Sequence, residues 1–270
     1  MQIEYVPLLQ TQRELHEVPR GMERFRHYIA TITGDTDDVA LPPLISMNPM
    51  GREHVAVRLD ELIALGADAG AATAAAEAAA ELEHVSGNFK VGQVVVDDLR
   101  GGWTNRYTAD FGMRAGRPVA ATQGWISVPW WVSETPTPGA VRAAVRAAIY
   151  RRAYMLRHGH AQTVRQIMAQ EGLAAVFAGA RVPVLSSEEL AYSRDIIRAY
   201  LDDSDWPTVL PCLYGDPAAY QLGYPQLGLP QWAGFSLGID YVQAYLQRTQ
   251  RSAADAIDVA ADELIAADQP

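Results

Sequence analysis

One carboxylate on an apolar helix stripe constrains this chain more than any other feature. Gly139–Gly179 reads as two helices joined at His158-Gly159-His160. In the second, Val164, Ile167, Met168, Ala175 and Ala178 recur at helical spacing and form one apolar stripe. Glu171 lies on that stripe, four residues after Ile167 and four before Ala175. A carboxylate facing a core is costly unless a partner pairs with it or ligates to it, or its pKa rises. This stretch therefore points at a site. Thr137-Pro138 makes a good start for the first helix, Thr as cap and Pro as first helical residue.

The remaining composition is ordinary for a globular chain of 270 residues, with 49% hydrophobic and 20% charged. A net charge of −10 argues against nonspecific nucleic-acid binding, which needs clustered Lys and Arg. The single cysteine, Cys212, excludes an intrachain disulfide and a CxxC zinc knuckle. It reads as a partly buried small residue in a Pro/Gly-rich loop. The N-terminal segment lacks a basic start followed by an apolar run, and no run reaches the roughly 18 apolar residues of a membrane span. A soluble cytoplasmic protein is the expectation.

In chain order, residues 1–9 read as a short strand and residues 10–33 as largely helical, interrupted at Pro19 and Gly21, with His27 at the surface. Gly34–Val39 reads as a polar turn, and Leu41–Leu44 as extended. An alanine-dense helix is expected over about 56–83. Residues 90–132 are rich in Val, Thr, Trp and Tyr and punctuated by Gly and Pro, which predicts three or four antiparallel strands. Arg100-Gly101-Gly102 and Arg114-Ala115-Gly116 look like turns between them, and Trp125, Trp130 and Trp131 crowd the last strand. A helix over 187–201, capped by Ser186 or Ser187, precedes a Pro/Gly-rich stretch, Trp206–Gln231, read as a covering loop. A helix from Trp232 places Gly234 and Gly238 on one flat face continued by Tyr241 and Tyr245. A short acidic helix is expected over about 252–267. The organisation expected is an N-terminal helical region, 1–88, packed on a region 89–270.

Two short motifs carry a resemblance: Glu171-Gly172-Leu173-Ala174, and the run from Trp232-Ala233-Gly234 through Gly238 to Val242. Together with the order of elements, they resemble gluzincin-type zinc metallopeptidases, in particular a bacterial family known as predicted zinc-dependent proteases. The resemblance covers about residues 90–265. It implies an α+β, gluzincin-like fold, in which a small mixed or antiparallel sheet is followed by a largely helical domain, with N-terminal helices. It also places a third metal ligand at Glu171. Such peptidases hold zinc with HExxH on the preceding helix, two His one turn apart and a Glu as base. The corresponding window here is Tyr150–Tyr154, and Arg146–Leu156 contains no His, Asp, Glu or Cys. His158 and His160 are near Glu171 in sequence, but they sit in a turn and Glu171 is about three helical turns further on. The fold carries over; the metal and the peptidase activity do not, and no cofactor is expected.

Two functions then compete. In the first, a metal-free enzyme (a lyase, isomerase or non-metal hydrolase) reuses the cleft. Glu171 is its acid/base group, Tyr150 and Tyr154 its proton donors, and Arg151 a further catalytic residue. Arg106, Trp125, Arg152 and Tyr241 are the candidate substrate-binding residues. In the second, the chain is a non-catalytic binding or regulatory protein. A metallopeptidase with unusual ligands ranks last. In either leading case Glu171 is expected to be hydrogen-bonded to Tyr150, Tyr154 or an Arg of the first helix. The expected partner is a small molecule or peptide, with no nucleic acid and no membrane, and with the oligomeric state left open.

Overall fold

The computed structural model describes residues 1–34, 38–99, 104–115, 123–179 and 185–266. The chain divides into two compact units: Met1–Ala109 with Arg117–Ile149, and Asp110–Gly116 with Tyr150–Pro270. The α+β class holds: among the described residues the chain has one small three-stranded sheet and is otherwise mainly helical.

The first unit is built on three strands, β1 (Gln2–Tyr5), β2 (Asn88–Val96) and β3 (Trp125–Trp131), in the order β1-β2-β3. Both pairings are parallel, not antiparallel as the sequence pattern suggests. The reason lies in β2, where Val91 to Val96 are all buried. A parallel strand covered on both faces reads as a continuous apolar run rather than an alternation. β3 is an edge strand, which is why it tolerates Pro129. β1 is too short to reach Val95. There the buried Gln12 side chain takes over, donating to the Val95 carbonyl at 2.8 Å and accepting from its N–H at 2.9 Å.

The unit also holds α1 (Leu9–Glu17), α2 (Met22–Thr33), α3 (Glu53–Ala64), α4 (Ala67–Glu81) and the first turn of α5 (Arg106–Ala115). The break between α1 and α2 falls at Pro19, as expected. The single helix expected over 56–83 is instead α3 and α4, separated by Gly66 in a left-handed conformation. Leu41–Leu44 is not extended; Pro42–Ser46 forms a short 3-10 helix. Where a turn was expected at Arg114-Ala115, the chain is still in α5, which starts after Asn105, whose side chain accepts from Thr108 N–H. Arg100-Gly101-Gly102 and Gly116 lie outside the described residues, as does part of the turn expected over 34–39.

α6 (Pro138–His158) crosses from one unit to the other along the chain, and Thr137 caps it through Ala140 N–H. The second unit continues with α7 (Val164–Ala178), α8 (Ser187–Ile197), α9 (Trp206–Tyr214), α10 (Asp216–Leu222), α11 (Ala233–Thr249) and α12 (Ala261–Leu264). Capping boxes at Thr163 and Ser186 fix the starts of α7 and α8. The expected covering loop is two helices, α9 and α10. Pro207 and Pro217 sit in their first turns, where proline costs no hydrogen bond. Cys212 is buried in α9, and burial pushes its thiol up to about 12. Of the acidic helix expected over 252–267, only α12 is helical, with turns before it.

The second unit's core is the α7–α11 contact, and glycines set its closeness. A Cβ on Gly172 would stand 2.3 Å from the Gly238 carbonyl oxygen, and one on Gly238 would stand 2.4 Å from that of Met168. The glycine of the first quoted motif thus lies directly on a glycine of the second. Among the described residues, no single helix is long and apolar enough to cross a membrane; α3 and α4 pass such a test only together, across a 61° bend.

Candidate functional site

Glu171 is buried in α7, its side chain 3% exposed, and its carboxylate accepts four hydrogen bonds. Arg151 of α6 grips it with both faces of its fork, Nε to Oε1 at 2.5 Å and the terminal nitrogen to Oε2 at 2.8 Å. Arg114 of α5 adds a bond to Oε2 at 2.6 Å, and Gln170 adds one to Oε1 at 3.0 Å. Four donors fill the lone-pair sites of a carboxylate.

The network extends one step further. Arg114 Nε donates to Asp110 at 2.7 Å, and the buried Tyr214 hydroxyl donates to the same Asp110 oxygen at 2.8 Å. Gln170 also donates to the Arg114 carbonyl at 2.9 Å, which ties the end of α5 to α7. The Arg114 guanidinium lies over the Phe235 ring, and Phe235 meets Tyr214 edge-on. Two carboxylates face two guanidiniums, so the charges cancel.

Burial by itself would raise the Glu171 carboxyl, but Arg151 and Arg114 outweigh it and hold it at about 2. Burial likewise works against the Arg114 charge, and Asp110 and Glu171 overcome it, keeping the guanidinium protonated. Burial and then Asp110 push the Tyr214 hydroxyl well above its ordinary range. A carboxylate that is ionised and saturated is a poor proton acceptor near neutral pH, where a general base works best with a pKa close to that pH.

The other candidate residues fall elsewhere. Tyr150 and Tyr154 do not reach Glu171. Their hydroxyls donate to the carbonyls of Ala253 and Val259, at 2.6 and 3.0 Å, and burial raises both. The reason is helical phase: Arg151 is the residue of α6 turned to Glu171, and its neighbours at 150 and 154 point to other faces. His158 follows the two tyrosines, bonding the Ile257 carbonyl at 2.9 Å and stacking on Tyr154. Arg146 does not serve Glu171 either, since it pairs with Glu81 at 2.8 Å. Arg152 is half-buried, and burial lowers its pKa. Tyr241 is buried under Arg194, which pairs with Asp240.

Arg106 and Trp125 belong to the first unit. Arg106 pairs with Asp98 and Glu134 and lies over Trp131, and Trp125 is buried at the start of β3 with Lys90 over its ring. The residues that sequence reasoning missed are Arg114, Asp110, Gln170 and Tyr214. The spacing of Asp110 and Arg114, four apart after an Asn cap, is the signal that marks them as one helical ion pair.

With this geometry in place, comparison with known proteins locates it. Residues 149–266 match DUF2268, the family described as "Predicted Zn-dependent protease". The DUF2268 span takes in Arg151, Gln170, Glu171, Tyr214 and Phe235, whereas Arg114 and Asp110 come from outside it. A curated relative, "Uncharacterized protein YjfC" of Bacillus subtilis (strain 168), is 29% identical over 121 residues. That alignment covers 42% of this chain and 40% of the relative, so the chain spans well under half of the relative's length. No solved structure matches.

A zinc ion does not fit the residues around Glu171. Its neighbours are two guanidiniums, which only donate and cannot ligate a cation. One turn either side of Arg151 on α6 stand Ala147 and Met155, and neither supplies the nitrogen or carboxylate such a site needs. Among the described residues, no group of three or more His, Cys, Asp or Glu is placed to hold a metal.

Proposed function

We propose that this chain is a metal-free, degenerate relative of the DUF2268 proteins, acting as a binding or regulatory protein rather than a peptidase. The observation that carries the reading is the saturated Glu171 carboxylate, gripped by Arg151 and Arg114. In this reading the guanidiniums supply the positive charge that a metal supplies in a zinc peptidase, and the α6–α7 pair keeps its place without ligands. Proton transfer through Glu171 does not fit its low pKa, and Tyr150 and Tyr154 are committed to main-chain carbonyls. An acid/base enzyme using Glu171, Tyr150, Tyr154 and Arg151 is therefore the weaker alternative.

The partner in this reading is a small molecule or a peptide. A cytoplasmic setting suits a chain whose lone cysteine is buried as a free thiol. The test is hydrolysis of an unstructured protein substrate, with and without added zinc, and with a chelator. The expected result is no hydrolysis above background in any condition. Zinc-dependent cleavage that is abolished by the chelator and by Glu171→Ala overturns the proposal.

A further inference from the structure

The first unit holds a second polar cluster, at the carboxyl end of β2. In parallel sheets, ligands bind outside the carboxyl ends of the strands. Asp97 follows the last residue of β2 and is 1% exposed. Its carboxylate accepts from Asn48 Nδ2 at 3.3 Å, from the Leu99 N–H at 3.2 Å and from His54 Nε2 at 2.9 Å. A carboxylate only accepts, so His54 Nε2 carries a proton and donates it to Asp97. The His54 side chain keeps 20% of its surface.

Two further groups converge from α1 and α2. His16 Nδ1 lies 3.5 Å from a terminal nitrogen of Arg24. A guanidinium only donates, so Nδ1 accepts and the His16 proton sits on Nε2. That Nε2 is buried and has no hydrogen-bond partner among the described residues. A buried donor without a partner is rare and costly. Arg24 is 7% exposed and donates to the carbonyls of Val18 at 2.6 Å, Gly51 at 3.1 Å and His16 at 3.3 Å. Among the described residues no carboxylate pairs with it. Burial, then the Arg24 charge, hold the His16 imidazole down at about 4, so it is neutral at neutral pH; Asp97 and His54 also act on it. Gly51 admits the close approach of His16, since a Cβ there would stand 3.1 Å from its Cε1.

We propose that the carboxyl end of β2 binds a small oxyanion, a phosphate or carboxylate group, between His16 and His54 with Arg24 behind it. One anion oxygen accepts from His16 Nε2–H. A second is joined to His54 Nδ1 through a proton that the ligand brings with it. The anion gives the Arg24 guanidinium a counter-charge that no carboxylate among the described residues supplies. Asp97 does not repel it strongly, because Asn48, the Leu99 amide and His54 already hold its charge. The next residue, Asp98, is bonded separately, accepting from Arg106 and from the Ser133 amide and hydroxyl.

The test follows the imidazole Cε1–H signals of all six histidines in the full chain during titration with inorganic phosphate and, separately, with acetate. The expected result is that the His16 and His54 signals move together and saturate with at least one anion, while those of His27, His84, His158 and His160 stay fixed. Saturation by phosphate alone names a phosphate ligand, and saturation by acetate alone names a carboxylate. His54→Gln should weaken the binding about tenfold or more, equivalent to about 1.4 kcal/mol. The proposal is overturned if neither His16 nor His54 responds, if all six drift with ionic strength, or if His54→Gln binds like the wild type. Should that variant fail to fold, the wild-type titration decides alone.

Discussion

Replacing Glu171 with Gln keeps the side-chain shape and removes its charge. Arg151 and Arg114 then face an amide whose NH2 is a donor turned toward donors. Removing one member of a buried ion pair costs about 3–5 kcal/mol, because the partner charge stays buried. A second route gives a similar figure. The Glu171 carboxyl lies at about 2 against an ordinary 4.5, which at about 1.4 kcal/mol per pH unit amounts to about 3 kcal/mol of native-state stability. Arg114 keeps 30% of its side-chain surface, so solvent moves the loss toward the lower end of the range. The folded pKa lies below the unfolded one. The contribution is therefore complete above about 4.5 and is lost as the pH falls toward about 2. Urea unfolding at stepped pH, followed by circular dichroism, measures both chains. The expected outcome is a gap of about 3 kcal/mol at neutral pH that closes in acid. A gap under about 1 kcal/mol at neutral pH, the range of an exposed pair, refutes the buried network. So does a gap that stays constant down to pH 2.

Four other substitutions probe the surroundings. Gly172→Ala drives a methyl into the Gly238 carbonyl, so α7 and α11 must separate; a loss of about 1–3 kcal/mol is expected in thermal unfolding, as for other overpacked cores. Gly139→Ala, where a Cβ meets nothing within 4 Å in the first turn of α6, should instead gain up to about 1 kcal/mol in the same assay. Tyr214→Phe leaves the buried Asp110 with Arg114 alone and should cost about 1–3 kcal/mol in urea unfolding. Tyr150→Phe frees the Ala253 carbonyl. It should raise amide exchange in residues 251–259 while leaving α7 protected, and equal exchange across both would contradict the assigned contact.

Local signals in the chain were the ones that could be read. The Glu171 stripe, the Thr137-Pro138 start, the Ser186 cap and the close glycine face of α11 each depend on residues within a turn or two of one another. Glu171 needed a partner, and an arginine of the preceding helix was among the options that spacing allowed. Helical phase, which selects Arg151 over Tyr150 and Tyr154, follows from how α6 rolls against its neighbours, and short-range pattern does not fix that. Arg114, Asp110 and Tyr214 reach the site from positions 57 and 61 residues before Glu171 and 43 after it, separations across which no periodicity runs. The sheet was misread for a different reason. Val, Trp and Gly in 90–132 fit an antiparallel meander as well as two buried parallel strands, and only the register with β1 separates the two.

The central claim is that two guanidiniums, rather than a metal, neutralise Glu171. Native mass spectrometry of the full chain, purified after expression in zinc-supplemented medium, tests it most directly. The account predicts the metal-free mass, with zinc well below about 0.1 equivalent per chain, where a structural or catalytic site would hold about one. A stoichiometric zinc adduct, lost on Glu171→Ala and kept in Arg151→Ala, contradicts it.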